Sequence, residues 1–349
     1  MAQPAFEVSG FLDALTATTR RKILPTVADN LYRSDPLFAM LKANNLKQWE
    51  GPQIQEPFLY APEGGDFYAP GATFNITQTQ SLTAGNFQPK FLYVPVTVTL
   101  EETEVFNTGA TEAIVSIIDT KMQNASYTMA ARLAIALYQG GQGSRILALN
   151  GMEEILNDGS NAGFAGNTYA NYGTVPRNGT IATALNSPMT GPTANVAGPV
   201  LYSTLERAYN SVCIGSSNPD VIVTTNLGMS YIKQKFQPQQ RFETQDAKLG
   251  FNSLVFNQAR IYQSQYAPGT VVPEFGAQLG FPTGLTGETI WFLNSKTFSL
   301  YERSGMFGMG FTGFKVAQDN NTISGQQLFA GNVTNIQPRL SRYLFNVQN

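Results

Sequence analysis

Histidine is absent from this chain and cysteine occurs once, as Cys213. The first absence removes Ser-His-Asp and Cys-His catalysis, the common zinc sites and the usual acid/base group near neutral pH. The second excludes an intrachain disulfide framework and suits a reducing compartment. Charge is scarce too. Only 13% of residues are charged, about half the usual share, and surfaces so weakly charged often lie against neighbours. The formal net charge of -2 argues against a protein whose main task is gripping nucleic acid. No apolar run approaches the ~20 residues that span a bilayer, and the first residues, MAQPAFEVSG, show no basic and apolar signal-peptide pattern. No membrane partner is expected.

What is present is a 42% apolar fraction, ample for a core, and one stretch without rival. From Thr108 to Gly141, apolar residues recur at Ile114, Ile117, Ile118, Met122, Ala125, Met129, Leu133, Ala136 and Leu137. That is helical spacing, with Asp119, Lys121, Gln123 and Arg132 on a polar back. Thr108 or Thr111 caps the start and Gly140-Gly141 the end. About 29 residues make a rod roughly 43 Å long. Asn124, Ser126, Tyr127 and Thr128 give it a centre of poorer helix formers.

Before the rod lie two regions. Residues 1–48 read as an arm, with Asp35-Pro36 starting a short helix through Leu37, Phe38 and Leu41, and with Arg20-Arg21-Lys22 as its basic cluster. Strand-like runs at 53–60 and 87–100 flank a Gly/Pro-rich middle and predict a long two-stranded ribbon. Pro57, Pro89 and Pro95 suit edge strands. From Glu50 to Leu92 the ribbon carries Glu50, Glu56, Glu63 and Asp66 against Lys90 alone. Having little core of its own, it should lie on another surface.

After the rod, a helix at 203–212 with a Ser203/Glu206 capping box, a buried strand at 219–225 and a helix through Tyr231, Ile232 and Phe236 predict an α/β lobe. Residues 288–301 and 311–345 are β-rich and should return to the rod.

Chemical motifs are weak. Gly308-Met309-Gly310-Phe311-Thr312-Gly313 matches the dinucleotide pattern, yet no helical period follows it. Glu101/Glu102 and Glu153/Glu154 are adjacent pairs; on strands their carboxylates would point to opposite faces, so capping or ion pairing is expected rather than acid/base work. Cys213 reads as a small buried residue. The N-x-[ST] sequons at Asn75, Asn124, Asn178, Asn320 and Asn332 are ascribed to an Asn- and Thr-rich composition. No catalytic, cofactor-binding or metal-ligating residue is assigned, and no cofactor is expected.

Landmarks run along nearly the whole chain: Asp35-Pro36-Leu37 and Leu41; Trp49-Glu50-Gly51 with Ile54 and Tyr60; Asn107-x-Gly109; Leu149-x-Gly151-Met152; Tyr172-Gly173 with Arg177; Ile290-Trp291-Phe292-Leu293-Asn294; and Gly331-Asn332-Val333-Thr334-Asn335 with Pro338-Arg339. In this order they resemble the major capsid proteins of tailed bacteriophages, the Hong Kong 97 fold family. The resemblance implies an α+β fold in five parts: an N-terminal arm (1–48), an extended loop (49–95), a peripheral domain (96–150) with a spine helix at 108–140, an axial domain with a loop insertion (151–285), and returning strands of the peripheral domain (286–349). It implies hexamers and pentamers forming an icosahedral head around double-stranded DNA, assembled in the bacterial cytoplasm. The implied partners are further copies, a portal, a separate scaffolding protein or none, and decoration proteins.

The ribbon's charge imbalance adds an expectation of its own. Glu63 and Asp66 near the tip should dock on a positive patch of an adjacent subunit, with Arg303, Lys315, Arg339 and Arg342 as candidate acceptors. No lysine lies near the tip, so a covalent lysine–asparagine mesh is not expected. Readings from other classes are a carbohydrate-active enzyme, which needs converging carboxylates, and a secreted adhesin or surface-layer protein, which needs an export signal.

Overall fold

A computed structural model describes residues 35–73, 79–99, 110–141, 145–189, 198–236, 253–273, 276–305, 308–316 and 321–349, with backbone alone at 44, 110–117, 236, 253 and 309. The basic triplet, Thr108, the pair Glu101/Glu102 and Asn107-x-Gly109 lie outside the described residues.

The first helix, α1 (Pro36–Asn45), starts as its sequence dictates. Asp35 is extended, its carboxylate accepts from the Phe38 amide at 3.1 Å, and Pro36 occupies the first turn, where an N–H would be unsatisfied anyway. Leu37, Phe38 and Leu41 are buried. β1 (Leu46–Gln48) then pairs in parallel with β12 (Phe298–Glu302).

The ribbon departs from the expected pairing. β2 (Ile54–Leu59) pairs with β3 (Leu82–Phe87), Ile54 opposite Phe87 and Leu59 opposite Leu82. The predicted single strand from 87 is split at Gln88-Pro89, and β4 (Lys90–Thr99) joins β15 (Thr322–Asn335) instead. Val94, Val96 and Val98 alternate inward, and that face needs a core, which a bare ribbon lacks. Among the described strands β4 pairs with β15 alone. It is thus an edge, where Pro95 is tolerated.

The spine is α2 (Ala110–Tyr138), 29 residues long. From Ile118 to Tyr127 it buries Ile118, Met122, Ala125 and Ser126; from Met129 on it is buried nearly all round, Arg132 excepted. It runs unbroken through its centre, where the Ser126 hydroxyl donates to the Gln123 carbonyl at 2.6 Å. It stops at glycine because a Cβ on Gly140 would stand 2.0 Å from the Tyr169 hydroxyl oxygen.

Two six-stranded sheets complete the fold. In the first, β1, β12, β15 and β13 (Gly308–Phe311) lie in that order, with β4 and β14 (Lys315–Val316) also on β15. In the second the order is β7 (Gly198–Pro199), β16 (Arg342–Gln348), β11 (Glu288–Leu293), β8 (Val221–Thr224), β10 (Ala259–Gln263) and β9 (Ser253–Phe256). Residues 286–349 therefore divide between the sheets: β11 lies beside β8 and β16 beside β11, while β12 to β15 are in the first sheet. The uniformly buried β11 fits a central strand covered on both faces.

Between α2 and β7 in sequence come α3 (Met152–Ile155) and α4 (Ala182–Leu185); α5 (Tyr202–Asn210) follows β7 and α6 (Asn226–Phe236) follows β8. One core joins α1, the ribbon base, α2 and both sheets; a second lies between the β8 sheet and α5 and α6. The expected capping box on α5 does not form. The helix starts a residue early behind Leu201, with no side-chain cap.

Candidate assembly surfaces

The ribbon is fastened at its base. Glu56 is buried, accepts from the Tyr301 hydroxyl at 2.7 Å and the Thr334 hydroxyl at 2.9 Å, and pairs with Lys47 at 3.8 Å. Beside it Phe58, Phe87 and Tyr172 form a box, Tyr172 lying 5.5 Å from Phe58 and 4.9 Å from Phe87 between centroids. Gly85 lets the ring of Phe58 in: a Cβ there would come within 2.4 Å. The Tyr172 hydroxyl donates to the Asn335 carbonyl at 3.1 Å and accepts its amide at 2.7 Å, linking the box to β15.

Beyond Tyr60 the ribbon is bare. Glu63 and Asp66 are exposed, and so are Phe67, wholly, and Tyr68. Glu63 accepts from the Thr79 hydroxyl at 3.1 Å and from Ser81, while Asp66 accepts the Phe67 amide at 2.8 Å. These contacts shape the loop and leave its surface open.

The four expected acceptors divide. Arg303 is exposed with its guanidinium 5.8 Å from the Trp49 ring centroid, Lys315 is exposed on β14, and Arg339 is half-buried in a turn. Arg342 is buried in its own chain and donates to the Ser211 hydroxyl at 2.9 Å. That burial counts against it as an acceptor.

Behind the ribbon base sits a polar knot in which sequence reasoning saw landmarks but no roles. Arg177 is buried and donates to the carbonyls of Asn157 (2.6 Å), Leu185 (2.5 Å), Glu154 (2.6 Å) and Ile155 (3.0 Å). It thereby satisfies orphan carbonyls at the ends of α3 and α4. Burial lowers its pKa to about 10, and Tyr172 lies under it at 4.9 Å.

The pair Glu153/Glu154 sits on α3, not on a strand, so the opposite-face argument fails; nor does either carboxylate cap that helix, which has no side-chain cap. Glu153 accepts from the Ala165 amide at 2.8 Å and the Tyr169 hydroxyl at 3.1 Å; Glu154 accepts from the Gly141 amide at 3.0 Å and the Asn150 amide at 2.7 Å. Burial pushes the Glu153 carboxyl up to about 7 and raises Glu154. Asp35 is raised by burial as well, although Ser264, Phe38 and Tyr138 all bond it.

Among the other motifs, 308–313 begins as strand β13 on β15, with no helix at its third glycine. Cys213 is half-exposed rather than buried, its thiol 3.2 Å from the Tyr209 carbonyl. Asn332 is fully buried with its amide on the Gln88 and Asn150 oxygens, so it offers no glycan site. Among the described residues no cluster of three or more His, Cys, Asp or Glu is placed to hold a metal, and no helix is long and apolar enough to cross a membrane.

One surface escaped the sequence reading entirely. Lys90, Arg132 and Arg145, distant in the chain, meet on a cleft beside α2, lined also by the exposed Leu147.

No family model and no curated protein matches the chain. Solved structures do. The capsid asymmetric unit of cyanophage A-1(L) is 10% identical with a TM-score of 0.65, over 90% of this chain and 93% of that one. A native GTA particle capsid is 10% identical at 0.55, over 91% of each. The holo-SrpI encapsulin complex from Synechococcus elongatus PCC 7942 is 8% identical at 0.52, over 90% and 89%. At such identities the likeness defines the fold. The chain has the α+β Hong Kong 97-type capsid fold, the fold of tailed-phage major capsid proteins.

Proposed function

We propose that this chain is the structural major capsid protein of a tailed bacteriophage, assembling as hexamers and pentamers into an icosahedral head that encloses double-stranded DNA. The observation that carries the reading is the ribbon: pinned at its base by Glu56 and the Phe58–Phe87–Tyr172 box, and bare at its tip. An arm built this way has its partner on another subunit. The fold likeness over about nine-tenths of the chain supports the same reading. Its five parts follow the stretches 1–48, 49–95, 96–150, 151–285 and 286–349, with β11 and β16 reassigned to the β8 sheet.

Assembly in the host cytoplasm, a portal, a separate scaffolding protein and decoration proteins belong to the proposal. A near-neutral charge suits such a lining, because a wall that clung to phosphate would hinder packaging. Glu63 and Asp66 provide the tip's charge; of the acceptors expected from sequence, Arg303, Lys315 and Arg339 stand on exposed or half-buried positions and form one candidate set, against which the cleft of Lys90, Arg132 and Arg145 is tested.

A second reading has its own observation. The encapsulin likeness covers as much of the chain, so an encapsulin-like shell that holds no DNA is the second reading. Expression of the full chain followed by electron microscopy and nuclease treatment decides. Closed shells are expected, and in a packaging system they protect DNA. Shells that never hold DNA favour the encapsulin-like reading. Soluble chain that forms no particles at any concentration overturns both.

A further inference from the structure

We propose that the cleft between α2 and the start of β4 is the socket for the ribbon tip of a second copy of this chain, with Lys90, Arg132 and Arg145 receiving Glu63 and Asp66 and with Leu147 receiving Phe67. The inference deepens the proposed shell function and rests on it.

Two adjoining hollows of about 130 and 740 Å³ share Arg132, Arg145 and Leu147, and Lys90 borders the smaller. Two of the three cations are held from within. Lys90 donates to the Ile146 carbonyl at 2.6 Å, and Arg145 and Gln139 both donate to the Gly280 carbonyl, Gln139 at 3.1 Å. Arg132 is exposed on the helix with no described carboxylate in salt-bridge reach. The acids that act on Lys90 and Arg145, Glu154 and Glu153, are buried and occupied by backbone amides. Burial lowers the pKa of both Lys90 and Arg145; Glu154 opposes the shift at Lys90, Tyr169 and Glu153 oppose it at Arg145, and Arg132 adds a smaller lowering there. Beside the cations Ile146 and Leu147 stand exposed, as does Phe91 on β4.

The ribbon is the complement of this surface. Glu50, Glu63 and Asp66 are exposed, and Phe67 and Tyr68 sit beside the acids. The tip does not use its own socket, since Phe67 is wholly exposed within the chain. One chain thus presents both an acidic-aromatic knob and a basic-apolar socket. Such a head-to-tail contact repeats around a ring or shell and does not stop at a dimer.

Two readouts test this. In a Cys213→Ser background, chains carrying Phe67→Cys are mixed with differently tagged chains carrying Leu147→Cys under mild oxidation. Disulfide-linked pairs of unlike tags are expected, and their absence overturns the proposal. Separately, Arg132→Glu should raise the subunit concentration needed for assembly about tenfold, Arg132→Gln less, with Glu63→Arg and Asp66→Arg restoring assembly to the Glu variant. Circular dichroism confirms that each variant folds. Arg132→Glu assembling like the parent sinks the idea. So does rescue of Glu63→Lys/Asp66→Lys by reversals at Arg303 and Lys315 instead. A duplex DNA bound by the parent, released by Arg132→Glu and accompanied by no cross-link would give the cleft to phosphate. If the parent forms no shells, the shell reading falls while the cross-link between mixed chains still decides the socket.

Discussion

At the scale of single residues, burial governs the ionisable groups. Glu153 has a folded pKa of about 7 against an ordinary 4.5. The native state therefore holds its proton more tightly than the unfolded chain. Its contribution is complete below pH 4.5 and is lost as pH rises to about 7, at most about 3 kcal/mol. Asp35 and Glu154, raised by burial too, add slopes of the same sign. Glu153→Gln stays neutral and keeps partners for Ala165 and Tyr169, so it should flatten the fall of Tm between pH 5 and 7.5. An unchanged slope in scanning calorimetry would refute this assignment. Arg177 is the larger liability. Arg177→Ala leaves four carbonyls without their donor and should cost about 3 kcal/mol or more. Arg177→Lys, a point charge without the planar fork, should recover only part of that loss. Urea unfolding of the unassembled subunit measures both, and a loss below about 0.5 kcal/mol would leave the knot without the weight given it here.

At the scale of elements, what could be read in advance followed periodicity. The spine's stripe placed a helix of the right length, and Asp35-Pro36 placed the start of α1, because each signal is local. The ribbon's return strand was misplaced for an equally physical reason. Alternation continues across Gln88-Pro89, and only the distant β15 decides that β4 leaves the ribbon. Assigning β11 and β16 to the β8 sheet likewise needs tertiary pairing. The cleft of Lys90, Arg132 and Arg145 was invisible because its cations come from a strand start, the last third of a helix and a loop. The ribbon base yields a test of its own. Phe58→Ala empties one wall of the aromatic box, a change costing about 3–5 kcal/mol in a packed core, charged here to the ribbon's attachment. Limited proteolysis should then cut between 60 and 81 faster while the remaining core persists. Cutting at the parent's rate would mean the box does not hold the ribbon.

At the scale of the whole molecule, shell strength should come from area and repetition rather than covalent bonds. The only lysine of the ribbon region, Lys90, lies at its base and is engaged with the Ile146 carbonyl. Boiled particles should run on a denaturing gel as a single band near 38.0 kDa. A ladder of multimers would overturn this. Assembled particles should also loosen with added salt, since the tip's charge contacts are screened within about 10 Å at 0.1 M.

The bond between Glu56 and Thr334 spans 278 residues, and this bears on how the chain is made. A ribosome adding about 5–20 residues per second takes roughly 15–55 s to travel from the first to the second. For most of that interval, from residue 98 to residue 322, the inward valines of β4 have been synthesised and their partner strand has not. The nascent chain thus carries an unpaired apolar edge for most of its synthesis, the kind of surface that sticks to other nascent chains on the same message. Emergence of β15, rather than of the spine helix, is then the event that closes the sheet.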